Sequence, residues 1–109
     1  MNDDERDHDL LDYMLESIGR VEEYRLEMGP MAEDAILRRL ETLADASGKL
    51  SEALRLRHPQ IPWRRVAGFR NVLAHGYLDV QRSVVDRILD DDLPILKSVV
   101  QQELDRSHW

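Results

Sequence analysis

At 109 residues the chain holds one domain with one modest core, and the absence of cysteine excludes disulfides and thiolate metal sites. A net charge of −7 argues against broad nucleic-acid binding through bulk charge. No apolar run nears the roughly 20 residues of a membrane span, and the acidic start "MNDDERDHDL" is not a signal peptide, so a single cytoplasmic domain over 1–109 is expected.

The pattern is helical throughout, and no segment alternates at period two. Leu10, Leu11, Met14, Leu15, Ile18 and Val21 recur at steps of three and four, which predicts a first helix over about 5–27. "EMGP" stops it. Ile36, Leu40, Leu43, Leu50 and Leu54, with Ser47 in the missing slot, predict a second helix over about 31–57 packed nearly antiparallel on a neighbour. "HPQIP" breaks it, and Pro62 opens a third helix that runs to about Ala74, ended by Gly76. A short fourth helix is expected from about Arg82. "DDD" is expected to cap a fifth from about Leu93, with Leu93, Leu96, Val100 and Leu104 as its buried stripe. Connections are short, so the fold class is an all-α antiparallel bundle of four to five helices.

Charge is unevenly spread. Residues 1–34 carry 12 acids and 3 bases, residues 83–109 carry 6 acids and 3 bases, and residues 35–82 carry 4 acids and 9 bases. The locally basic middle contains "FRNVLAHGYLDV". On a wheel of about 100° per residue, Val66, Phe69 and Leu73 form the apolar sector of the third helix. Arg64, Ala67, Gly68, Asn71, Ala74 and His75 make a second side of small and polar residues, and Arg70 borders both. Such a side suits a second contact, the same helix of another subunit across a two-fold axis.

The chemistry of this cluster is specific. Histidine transfers protons near neutral pH, and arginine holds phosphate oxygens in a fork. Arg70 and His75 can together take a proton from a ribose 2′-hydroxyl and stabilise the charge that grows on the phosphate. Asn71 can assist, no metal or cofactor is needed, and DNA lacks the required hydroxyl. The residues alone also allow a purely structural reading, with Arg70 in a surface ion pair, His75 at a helix C-terminus and Tyr77 at a core edge.

"RNVLAHGY" matches R-x4-H-x-Y, and with its flanks, "IPWRRVAGFRNVLAHGYLDV" and then "DDLPILKSVV", it resembles the HepT-like toxins of the HEPN superfamily. The resemblance covers about half the chain by sequence. It departs from many members in having Val84–Ile88 where a tryptophan is common. It implies a HEPN-like bundle that forms a homodimer through the motif helix and acts as the ribonuclease toxin of a type VII toxin–antitoxin system. It further implies catalytic Arg70 and His75, a supporting Asn71, and a MntA-like nucleotidyltransferase antitoxin that AMPylates Tyr77. In such a dimer Arg64, Arg65 and Arg82 would line an RNA cleft. The alternative is a non-catalytic accessory subunit of a minimal nucleotidyltransferase, with the motif used for recognition.

The remaining polar candidates have plainer readings. Asp3, Asp4, His8 and Asp12 fit a frayed acidic terminus better than a metal site. His58 and His108 are expected in solvent, and Trp63 is expected to anchor packing rather than stack on a base.

Overall fold

The computed structural model describes residues 2–27, 29–75 and 82–106, and for residues 72, 74, 75, 82 and 83 it describes the backbone alone. The described residues form helices only: α1 (Asp3–Arg25), α2 (Pro30–Lys49), α3 (Glu52–Arg57), α4 (Trp63–His75), α5 (Arg82–Arg87), a π-helical turn (Ile88–Asp92) and α6 (Leu93–Arg106). They build an all-α bundle in which α1 packs on α2 and α6, and α2 also packs on α4.

The apolar stripe of α1 is the centre of the core. Met14, Ile18 and Val21 are fully buried, as is Leu11, while Leu10 and Leu15 flank them. The helix begins at Asp3, and the side chain of Asn2 accepts a hydrogen bond from Glu5 N at 2.8 Å. The acidic terminus expected to fray is therefore a capped first turn. Gly29, at φ 114°, makes the turn into α2, a backbone conformation that suits only glycine, and Pro30 occupies the first helical position.

Two expected boundaries are corrected. The second helix does not run unbroken to Arg57: Leu50 and Ser51 are extended, at ψ 148° and 153°, and α3 starts anew. The Ser51 hydroxyl caps α3 by accepting from Leu54 N, and the Asp7 carboxylate accepts from both Ser51 N (2.8 Å) and Ser51 Oγ (2.5 Å). Leu50 and Leu54 lie on the same core from both sides of the break, so the heptad spacing passes through it unmarked. Ser47, the odd slot in that spacing, is buried with its hydroxyl donating to Ala44 O at 2.8 Å.

The "DDD" run does not cap a separate helix. Helix continues from Arg82 to Arg106 through the π turn, in which Leu93 N bonds to Ile88 O. The extra residue in that turn shifts the register by one. Ile88 and Leu89 before it and Leu93 and Leu96 after it all reach the core. The aspartates instead tie down neighbours: Asp90 pairs with Arg25 at the end of α1 (2.7 Å), and Asp92 with Arg65 in the first turn of α4 (3.5 Å). Lys97 adds a bond to Glu22 at 2.9 Å.

Candidate active site

Helix α4 carries the motif, and its entry is held rigidly. The Trp63 indole N–H is shared between Arg55 O and His58 O, each at 3.0 Å, and its ring packs on the core as expected. Leu73 is buried, with Val66 and Phe69 half-buried against the same core, so the apolar sector faces inward. A cavity of about 140 Å³ remains beside them, walled by Leu40, Leu43, Ile61 and Leu96.

The second side divides in two. Ala67 faces α2 of its own chain, since a Cβ on Gly48 would lie 3.4 Å from the Ala67 Cβ. That corrects its expected place on an open face. Arg64, Gly68 and Asn71 are exposed, and a side chain on Gly68 would meet no atom within 4 Å. The steps 64, 68, 71 and 75 keep one stripe of the helix. His75 ends both this stripe and α4, and its side chain lies outside the described residues. So do Tyr77 and Gly76 entirely, His108, and the side chain of Arg82.

Arg70 takes a different direction. It lies about 140° around the helix from position 75, on the flank toward α2. There its Nε is 3.1 Å from Asp45 Oδ1, and the other Asp45 oxygen is 3.1 Å from Lys49 Nζ. Both side chains stay accessible, 53% for Arg70 and 40% for Asp45. Asp45 went unnoticed in the sequence, where nothing links it to a residue 25 positions away. Arg64 and Arg65 are exposed in the first turn of α4, roughly 9 Å of helix rise before Arg70, with Arg65 leaning on Asp92.

A second polar cluster lies at the end of the bundle where the N-terminus of α1 meets the C-terminus of α6. Glu103 is buried and takes bonds from Arg57 Nη2 at Oε1 (2.7 Å) and Arg57 Nε at Oε2 (3.3 Å), while His58 Nε2 sits 2.5 Å from the same Oε2. His58, expected in solvent, is therefore a buried structural residue, because its helix-ending position turns it inward onto α6. Burial pushes the Glu103 carboxyl up, but the bonds from Arg57 and His58 outweigh it and hold the group below its ordinary value. Arg57 is raised in turn, chiefly by its bond to Glu103. His8 pairs with Asp12 at 3.4 Å, and no group of three or more metal-ligating side chains occurs among the described residues. No helix among them is long and apolar enough to cross a membrane.

Comparison with known proteins places this frame. A family model described as ribonuclease HepT-like matches residues 14–103, which includes all of α2, α3 and α4 and the motif. A protein of Thermococcus cleftensis named "Probable ribonuclease HepT" is 32% identical over 96 residues, covering 82% of this chain and 87% of its own. A protein of Methanocaldococcus jannaschii named "Putative RNase" is 31% identical over 71 residues, 65% of each chain. A longer protein of the same organism, named "Gamma-glutamylcyclotransferase and putative RNase", is 29% identical over 107 residues, 89% of this chain and 48% of its own length. No solved structure gives a significant match. The chain thus belongs to the HepT-like ribonucleases, a family of RNA-cleaving enzymes.

Proposed function

We propose that the protein is the ribonuclease toxin of a type VII toxin–antitoxin pair and cleaves RNA in the cytoplasm without a metal, through Arg70 and His75. The match of residues 14–103 to the ribonuclease family, spanning the R-x4-H pair, carries this reading. The imidazole of His75 takes the proton of a ribose 2′-hydroxyl. The oxygen attacks the adjacent phosphorus, the bond to the 5′-oxygen breaks, and that oxygen takes a proton from solvent, which in turn receives the one held by the imidazolium. A 2′,3′-cyclic phosphate remains. The guanidinium of Arg70 holds the phosphate oxygens as negative charge grows on them, with Asn71 as a supporting donor.

The protein acts as a homodimer joined through the exposed stripe of α4. The open surface at Gly68 and the angular separation of positions 70 and 75 within one helix support that arrangement. Arg64, Arg65 and Arg82 then flank a shared cleft, so an acidic protein meets RNA with its basic middle. A MntA-like nucleotidyltransferase silences the enzyme by moving AMP from ATP to the Tyr77 hydroxyl, with loss of pyrophosphate. The added phosphate competes for arginine, and the purine blocks the cleft.

The test is cleavage of a short RNA in EDTA by the wild type and two variants. His75→Ala and Arg70→Ala should each lose at least ~100-fold in rate, the scale of general acid–base catalysis. Inhibition by chelator that a divalent ion reverses would refute the metal-free route, and so would equal cutting of DNA. Undiminished cleavage by His75→Ala would remove His75 from the chemistry, and no cleavage by the wild type would favour the accessory-subunit reading. Tyr77→Phe should cleave normally but resist silencing by a cognate nucleotidyltransferase with ATP, and the wild-type peptide containing Tyr77 should gain the mass of AMP.

A further inference from the structure

We infer that Asp45 of α2 is a positioning residue for Arg70: it fixes the guanidinium so that its terminal fork is presented to the scissile phosphate. The inference rests on the ribonuclease reading above and adds to it a residue outside the motif.

Three observations converge on it. First, α2 and α4 come close because the residues between them are small. Ala44 is buried, and Gly48 stands against Ala67 at 3.4 Å from an ideal Cβ. Moving one turn back along α2 and one turn forward along α4 brings Asp45 to Arg70, so the close approach sets the distance between them. Second, the 3.1 Å contact is made at Nε, the nitrogen nearest the side-chain stem. A carboxylate there leaves the two terminal nitrogens, the edge that grips two phosphate oxygens at once, for substrate. Third, the carboxylate is itself braced, since Lys49 Nζ holds its other oxygen at 3.1 Å.

The physical need is clear. Arg70 is half exposed on a long stem, and such a side chain carries large rotamer freedom that a phosphate would have to freeze on binding. An ion pair already holding the stem end reduces that loss, and small errors of placement in a catalytic group are costly in rate. A surface ion pair of this exposure adds little to stability. Its effect therefore falls on the reaction rather than on the fold.

The experiment is a mutant cycle read by single-turnover cleavage of a short RNA, with thermal melting of each variant. Asp45→Ala should slow cleavage about tenfold and move the melting temperature by no more than about 3 °C. Asp45→Asn, which keeps an oxygen facing Nε, should recover most of the rate. In an Arg70→Lys background, where the charge remains but there is no fork to orient, Asp45→Ala should change the rate by less than about twofold. Wild-type cleavage by Asp45→Ala would overturn the inference, and so would a full tenfold effect persisting beside Arg70→Lys. Loss of cleavage in Arg70→Ala and His75→Ala with none in Asp45→Ala removes this inference alone. Normal cleavage by the first two removes the ribonuclease assignment of those residues beneath it.

Discussion

Glu103 is a carboxylate that three side chains depend on. Arg57 and His58 both direct nitrogens at it from the end of α3, and Arg106 approaches one of its oxygens at 3.6 Å. Asp7 and Asp4 lie near enough to Arg57 to act on it as well. Its folded carboxyl is held below the ordinary glutamate value, so its contribution is complete above that value and is lost as pH falls through the lower folded one. Stability to urea should therefore be level near neutrality and decline below about pH 4. Glu103→Ala leaves two buried-edge donors without an acceptor and should cost about 2–4 kcal/mol. The acid-side decline should be shallower in that variant. An unchanged acid limb in Glu103→Ala would show that other carboxylates govern it. Nothing in "LRLRHPQ" marks His58 as buried, because its partner is 45 residues away.

At the scale of elements, the two interruptions have different origins. The break at Leu50–Ser51 is a local capping event reinforced from a distance. Ser51 supplies the cap, and Asp7 clamps its backbone and hydroxyl from the first helix. "SEAL" is a legible capping sequence, yet apolar spacing runs through it because Leu50 and Leu54 bury on one core. Ser51→Ala should cost about 1–2 kcal/mol in denaturant unfolding, and Asp7→Ala a similar amount. The two together should cost clearly less than their sum, since each removes the other's partner. Full additivity would mean that the pair does not act as a unit. The π turn has no such sequence mark. Three consecutive aspartates are ordinary helix-start residues, and only the need to bury Ile88, Leu89, Leu93 and Leu96 together selects the wider turn.

For the whole molecule, the proposed assembly centres on one stripe of α4. Gly68 is exposed and has free space around it within the chain. A tryptophan there should leave the isolated fold intact, and replacing glycine in a helix should even favour the helix by about 0.5 kcal/mol. Gly68→Trp therefore probes contact between copies alone. Light scattering at micromolar concentration should give a dimer for the wild type and a monomer for the variant, with equal helical content by circular dichroism. A variant that stays fully dimeric would place the interface elsewhere.

The sequence by itself determined the helical class, the inward face of each long helix and the likeness to the family. Those properties are periodic or local: side chains three and four apart share a face whatever surrounds them. Leu11, Met14, Ile18 and Val21 are in the core for that reason, and Trp63 anchors α4 from its own helix entry. The tertiary structure alone decided which polar groups meet. Asp45 with Arg70, Asp92 with Arg65, Asp7 with Ser51 and Glu103 with His58 join positions 25 to 45 residues apart. The long helices α1 and α2 offer several exposed acids and bases of equal local merit. The packing distance between helices, set at α2 and α4 by Gly48 against Ala67, selects the few that touch.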